Sequence, residues 1–347
     1  MSTRRRMCIL ADGRLDVFTA KTALGLIRYC GDEVVAVLDR THAGEDLAQL
    51  VGIGAGIPIV DGIAAASAYN PNQLVIGVAL PGGVLPDVYR DFVLQGLHAG
   101  MDVVNGLHTR LKDDKEIVAL AERLGRNLWD VRSAPLIDHV GTGKARSTRA
   151  KRVLTVGTDC NLGKRVTASE LVKEMQRRGI RGEFVPTGQT GAMIVGRGVA
   201  IDAVISDFMT GYVEDAVLEK ADADFIVVEG QGSIIHPAYS GVTLGLMHGS
   251  LPDYFVVCHA PAREFMRHTD VPVASPQKMI ELTQTLLAPI HPAQCVGISL
   301  NCHGMDDAAA AEARKRIAGE TGLPVVDSLR TGVGPLVDAL VARGAAR

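Results

Sequence analysis

Apolar and polar positions along the 347-residue chain fall into two successive alternations of short apolar runs and longer stretches with helical spacing. In the first alternation, 7–11, 34–38, 58–60, 74–79 and 102–104 are short apolar runs that predict buried strands. Residues 21–29, 63–69, 86–98 and 113–124 predict the helices between them. In the second, strands are predicted at 153–156, 182–185, 225–228, 254–258, 296–300 and 324–326. Helices are predicted at 164–178, near 212–220, and at 276–287, 305–318 and 334–342. Each alternation predicts a parallel sheet with helices on both faces. Neither an internal repeat nor a low-complexity tract interrupts them.

One stretch carries most of the chemistry: Val153-Leu154-Thr155-Val156-Gly157-Thr158-Asp159-Cys160-Asn161-Leu162-Gly163-Lys164-Arg165-Val166-Thr167. A strand, a glycine loop, a lysine and a helix in that order are the context of a phosphate-binding loop. Glycines let the backbone approach phosphates, amides at a helix start point at them, and a lysine adds positive charge. The candidate cofactor-binding residues are Gly157, Thr158, Asn161, Gly163, Lys164, Arg165 and Thr167. The spacing is expanded, because five residues rather than four separate Gly157 from Gly163, and Arg165 stands where a magnesium-binding Ser or Thr is usual. The bland alternative is a glycine turn before an ordinary helix. The fold class expected is therefore α/β, an N-terminal Rossmann-like parallel-sheet domain followed by a P-loop NTPase-like parallel α/β domain.

Length and charge refine this. The domains expected are 1–137 and 153–347, joined by a polar, basic linker at 138–152. Within the linker, Gly141-Thr142-Gly143-Lys144 imitates a phosphate loop but has neither a strand before it nor a helix after it. A net charge of −3 argues against a nucleic-acid partner, and no apolar run reaches membrane-spanning length. The basic residues 1–6 precede an apolar run too short for a signal peptide. Six cysteines without a CxxC pair favour reduced thiols and a cytoplasmic location. In the first domain no GxGxxG follows the first strand. Gly52-Ile53-Gly54-Ala55-Gly56 reads as a turn, and Pro81-Gly82-Gly83 as either a ligand loop or a turn.

Ligands of parallel sheets lie beyond the carboxyl ends of the strands. In the second domain those ends carry the phosphate loop, then Pro186-Thr187-Gly188-Gln189-Thr190-Gly191, Glu229-Gly230-Gln231-Gly232-Ser233 with His236, His259 through Arg263, and Asn301-Cys302-His303-Gly304. Glu229, at the end of an apolar strand, is a candidate base or magnesium-linked carboxylate; the alternative is a carboxylate that shapes the loop. His236 is the preferred acid–base candidate among the histidines. Asp159, inside the phosphate loop, is a third catalytic candidate that contacts an amine or a metal, or else caps loop amides. Thr187, Gln189, Thr190 and Gln231 are candidate substrate contacts, and Arg263, Arg267 and Arg330 are candidate carboxylate binders. Asp207 is a helix cap or an active-site acid. No ligand spacing supports a metal site.

The loop Gly157-Thr158-Asp159 with Gly163-Lys164, and the later Glu229-Gly230-Gln231-Gly232, resemble dethiobiotin synthetase and its P-loop relatives. A broader set spans nearly the whole chain: Lys21-Thr22-Ala23, Arg28-Tyr29, residues 157–164, Val185-Pro186-Thr187-Gly188-Gln189-Thr190-Gly191, Asp207-Phe208, Val228-Glu229-Gly230-Gln231-Gly232-Ser233, Asn301 and Arg330-Thr331-Gly332. Together these are similar to the P-loop family whose characterised members are D-glutamate N-acetyltransferases. The resemblance implies acetyl-CoA as co-substrate, a D-amino acid (usually D-glutamate) as acceptor, a homo-oligomer, and a pathway partner in an N-acetylglutamate racemase of the enolase superfamily. Relatives often carry Thr soon after the loop lysine; here Arg165 and Val166 precede Thr167, which fits CoA at least as well as magnesium-ATP.

Three functions follow. The first is acetyl transfer from acetyl-CoA to the α-amine of a D-amino acid, with Glu229 or His236 as base and no metal. The second is an ATP-dependent kinase or ligase of the dethiobiotin-synthetase type, with Thr167 and Glu229 serving magnesium-ATP. The third is a non-catalytic nucleotide-binding protein.

Overall fold

A computed structural model of the chain describes residues 4–16, 19–133 and 137–344. They form two compact units. In the first, the elements run β1 (Met7–Leu10), α1 (Lys21–Tyr29), β2 (Val34–Leu38), α2 (Leu47–Val51), β3 (Ile59–Val60), α3 (Ile63–Ser67), β4 (Gln73–Ile76), α4 (Asp87–His98), β5 (Asp102–Asn105), α5 (Lys115–Leu124) and β6 (Leu128–Asp130). All six strands are parallel, in the order β3-β2-β1-β4-β5-β6. That is the strand order of a Rossmann-like sheet.

The chain continues with β7 (Lys151–Gly157), α6 (Lys164–Arg177), β8 (Gly182–Val185), α7 (Gln189–Val195), α8 (Ser206–Leu218), β9 (Phe225–Val228), α9 (Ser240–Ser250), β10 (Tyr254–His259), α10 (Pro276–Leu287), β11 (Gln294–Leu300), α11 (Asp307–Thr321), β12 (Val325–Asp327) and α12 (Gly334–Gly344). Its sheet is also parallel throughout, ordered β12-β11-β10-β7-β9-β8. Strand β7 lies centrally, with Leu154 level with Val228 of β9 and with Phe255 of β10. Residues such as Val153, Val227, Val256 and Val296 are fully buried against α6 and α12, as expected of strands covered on both faces.

The α/β class is as predicted, and the structure departs from the sequence reading in detail. Strand β6 and helices α2, α7 and α9 were not predicted. Helix α9 has the sequence SGVTLGLMHGS, whose glycines and serines read locally as loop; packing rather than propensity makes it helical. Helix α8 starts at Ser206, earlier than expected.

The sequence draws a contiguous second domain from residue 153. The structure instead returns 189–203, including all of α7, to the first unit. The reason is local: Ala192 and Met193 are buried in that unit's apolar core. The Arg5 guanidinium donates to the carbonyls of Met193 at 2.6 Å and Ile194 at 3.0 Å, near the helix C-terminus where a cation is favoured. Pro81-Gly82-Gly83 forms a 3-10 turn whose Gly83 carbonyl accepts the amides of His108 and Thr109, so this segment is tied down as a turn. The glycines at 52, 54 and 56 all have positive φ, in keeping with the turn expected there.

Candidate active site

The site is built from the loops after β7, β8, β9 and β10 of the second unit. Gly230 requires the absence of a side chain, and Gly157 is a tight approach. A Cβ on Gly230 would lie 1.5 Å from the Thr155 carbonyl oxygen, and one on Gly157 would lie 3.1 Å from Lys164 Nζ. Gly163, at φ 92°, takes the left-handed conformation that turns the loop into α6. Asn161 also has positive φ, a conformation Asn tolerates better than most residues.

Lys164 is buried, and its ammonium donates to the Asp159 carbonyl oxygen at 2.7 Å, curling the loop around the side chain. Burial pulls its pKa below the usual lysine range. Thr158 Oγ1 lies 3.0 Å from His259 Nδ1, and burial lowers that imidazole's pKa to about 4. Thr167, expected at the cofactor, has its hydroxyl engaged by other side chains. Its hydroxyl donates to Ser299 Oγ at 2.8 Å, with Ser328 Oγ at 3.2 Å and the Cys258 thiol donating to it. It sits one helical turn beyond Lys164, among the ends of β10, β11 and β12, in a closed hydroxyl cluster.

Glu229 is 3% exposed. Its Oε2 accepts the amides of Thr187 and Gly188, each at 3.0 Å, while Thr187 Oγ1 donates to the Glu229 carbonyl at 2.5 Å. Gln231 Nε2 donates to Thr187 Oγ1 at 3.3 Å. Burial pushes the Glu229 carboxyl up, and outweighs the two amides and the Arg165 charge that hold it down. A buried carboxyl with its pKa raised above the ordinary range is a candidate for proton transfer.

Asp159 and His236 are arranged otherwise than acid–base residues. The Asp159 carboxylate accepts the amides of Cys160 at 2.6 Å and Arg267 at 2.8 Å, and the Arg263 guanidinium at 2.7 Å. Burial pushes its pKa up, but these three donors prevail and hold it below the usual carboxylate range. His236 Nδ1 accepts the Ala238 amide at 3.1 Å, so Nε2 carries the proton and donates it to the Arg267 carbonyl at 3.0 Å. Both ring nitrogens are thus engaged. One ligand atom each from Asp159, Cys160 and His236 lie within 4.8 Å of one another, the metal-like grouping among the described residues. These donors are already committed to protein partners, and burial pushes the Cys160 thiol up, so the set does not suit a cation.

The remaining expected contacts are placed as follows. Arg263, named as a carboxylate binder, donates from Nη1 to an internal carboxylate, that of Asp159, and to the Cys160 carbonyl. Arg330 is spent on the carbonyls of Cys302 and Met305 and on Asp307, pinning the loop after β11. Gln189 and Thr190 belong to the first unit. Gln189 accepts from Arg132 at 2.7 Å, and the Thr190 and Thr22 hydroxyls lie 2.9 Å apart. Asp207 lies exposed in the first turn of α8. Gly141-Thr142-Gly143-Lys144 is indeed no phosphate loop, although it holds an anion: the amides of Thr142 and Lys144 donate to the Glu214 carboxylate at 2.9 and 2.6 Å.

Sequence reasoning gave no role to Thr155, whose Oγ1 accepts the Gly230 amide at 2.9 Å, and considered the loop 230–233 only for its amides, not for the Ser233 hydroxyl, which is fully buried and makes no hydrogen bond among the described residues. Neither residue type signals a site in an apolar strand or a glycine loop.

The chain matches two family models: a domain of unknown function described as the DUF1611_C P-loop domain, over residues 139–337, and the DUF1611_N Rossmann-like domain, over residues 40–134. It is 39% identical over 330 residues to a protein named D-glutamate N-acetyltransferase from Tritonibacter scottomollicae, covering 94% of this chain and 96% of that protein. A protein of the same name from a Pseudoalteromonas species is 39% identical over 279 residues, covering 79% of this chain and 83% of that protein. The fold superposes on the crystal structure of a DUF1611 family protein from Anabaena variabilis with a TM-score of 0.92 at 40% identity, over 97% of this chain and 99% of that one.

Proposed function

This chain belongs to the DUF1611 family, which includes the proteins named D-glutamate N-acetyltransferase, and on that premise we propose that it is an acetyl-CoA-dependent N-acetyltransferase acting on the α-amine of a D-amino acid, D-glutamate foremost. The observation that carries the reading is the 39% identity to such a protein over 94% of the chain, with the phosphate loop inside the matched region.

The residues suit the chemistry. The loop 157–163, Lys164 and Arg165 would hold the pyrophosphate of the donor, and Thr167, closed into its hydroxyl cluster, is not available to magnesium. That favours CoA over magnesium-ATP in this loop. Glu229 would take a proton from the acceptor's α-ammonium. The freed amine adds to the thioester carbonyl to give a tetrahedral oxyanion; its collapse breaks the C–S bond, and the proton lost by the new amide nitrogen balances the one taken up by the departing CoA thiolate. The Gly230 amide is spent on Thr155, so the buried Ser233 hydroxyl is the donor on this loop that we assign to the developing oxyanion.

We place the protein in the cytoplasm; its six cysteines are free, and no helix among the described residues is long and apolar enough to cross a membrane. A homo-oligomer and a racemase consuming the N-acetylated product belong to the same proposal. The test is incubation with acetyl-CoA or with magnesium-ATP and a panel of D-amino acids. Amino-acid-dependent thiol release supports acetyl transfer. ADP release without thiol release would favour a ligase, and release of neither a nucleotide-binding protein.

A further inference from the structure

The backbone of Arg267 is held from both sides. Its N–H donates to Asp159 Oδ2 at 2.8 Å, and its carbonyl accepts from His236 Nε2 at 3.0 Å. Asp159 comes from the loop after β7, His236 from the loop after β9 and Arg267 from the loop after β10, so the backbone of one residue joins three loops. Asp159 and His236 are 0% and 1% exposed and lie 3.6 Å apart. Arg263 reinforces the junction through its bond to Asp159.

Beyond this point the chain doubles back. The Met266 amide donates to the Val271 carbonyl at 2.8 Å and the Val273 amide to the Glu264 carbonyl at 2.9 Å, with Phe265 bridging Pro272 antiparallel. Met266 is buried, and its neighbours Phe265 and Arg267 are exposed. The Arg267 guanidinium donates to His268 Nε2 at 3.2 Å and meets no carboxylate among the described residues. Its charge is nevertheless felt at Cys160, inside the phosphate loop. Arg330 is bonded through both terminal nitrogens and Arg263 through Nη1 to internal partners, whereas Arg267 is a cation on a backbone anchored at both its N–H and its carbonyl beside the phosphate loop. A guanidinium whose backbone is fixed in place is delivered to one region of the surface, and its planar fork suits carboxylate or phosphate oxygens bidentately.

We propose that Asp159 and His236 are positioning residues that hold the Arg267 backbone against the phosphate loop, so that the Arg267 guanidinium engages an anionic oxygen group of the reactants. The inference rests on the transferase reading. The anion is either the 3′-phosphate of the CoA donor or the side-chain carboxylate of an acidic acceptor.

The experiment starts with calorimetric titration of the wild-type protein with CoA; absence of binding removes the transferase reading itself, before any variant is compared. Arg267→Ala and Arg267→Lys, checked for fold by circular dichroism, are then titrated with CoA and dephospho-CoA and assayed with D-glutamate and D-alanine. If Arg267 reads the donor, Arg267→Ala weakens CoA about tenfold or more and leaves dephospho-CoA unchanged. If it reads the acceptor, KM for D-glutamate rises by a similar factor and KM for D-alanine does not. His236→Ala should raise the same constant as Arg267→Ala with kcat nearly preserved, and His236→Gln, which keeps a donor, should restore part of it. Arg267→Ala with unchanged CoA affinity and unchanged KM values would overturn the proposal. So would a His236→Ala variant that loses kcat with KM intact, because that marks a group acting in the chemistry.

Discussion

The Gly230 amide donates to Thr155 Oγ1 at 2.9 Å, and a Cβ on Gly230 would fall 1.5 Å from the Thr155 carbonyl oxygen. Backbone meets backbone here, so a side chain cannot rotate out of the way. Gly230→Ala should therefore destabilise the protein by about 3 kcal/mol or more in urea denaturation. Gly241→Ala is the internal control: that glycine lies in α9 with nothing within 4 Å of the added carbon. It should be neutral or slightly stabilising, by up to about 1 kcal/mol.

His259 gives stability a signed pH dependence. Burial lowers its pKa to about 4 from an ordinary value of 6.5. Between those values the unfolded chain binds a proton that the folded protein does not, so stability rises with pH. The contribution is fully present above pH 6.5 and is lost as pH falls toward 4, by on the order of 3 kcal/mol at 1.36 kcal/mol per unit. His259→Gln should flatten that acid branch in a series of thermal melts. A branch of unchanged slope would show that other groups set it.

Arg152 is buried in β7, and its Nη2 pairs with Asp253 Oδ2 at 2.9 Å. Asp253→Ala leaves an uncompensated buried cation and should cost about 3–5 kcal/mol. Arg152→Met with Asp253→Ala, which removes both charges, should recover much of that loss in denaturant titrations.

Lys164 is a buried ammonium bonded to a carbonyl rather than a carboxylate. Lys164→Met should keep or raise the melting temperature, because a poorly compensated charge is removed. It should also weaken CoA about tenfold to hundredfold in calorimetry, the loss expected of a charge-assisted contact worth roughly 1.5–3 kcal/mol.

These residues show how far the sequence could be read. Strands and the glycine loop were legible because β-branched runs and the turn from Gly163 into Lys164 are local signals. Helix α7 was not, because its seven residues, QTGAMIV, carry no periodic pattern and are held by packing and by Arg5, 188 positions away from Met193. Glu229 was legible as the residue that closes an apolar strand. What Arg263, Arg330 and Arg267 do was not: only the fold shows that the first two bond internal partners and that the Arg267 backbone is anchored at both its N–H and its carbonyl. Thr167 stands two positions beyond the usual place of a magnesium ligand, and Ser299 of β11 and Ser328 just after β12 come from far along the chain to claim its hydroxyl.

The most direct test of the account is the mass of the product. Wild-type protein is incubated with acetyl-CoA and either D- or L-glutamate, without ATP, alongside Glu229→Gln, which keeps the hydrogen bonding of the carboxyl but cannot take a proton. The account predicts that D-glutamate gains one acetyl group with one CoA thiol released per product. It further predicts that Glu229→Gln still binds acetyl-CoA while losing about a hundredfold or more in turnover. Unmodified glutamate of both hands, with ADP formed once magnesium-ATP is supplied, would contradict it.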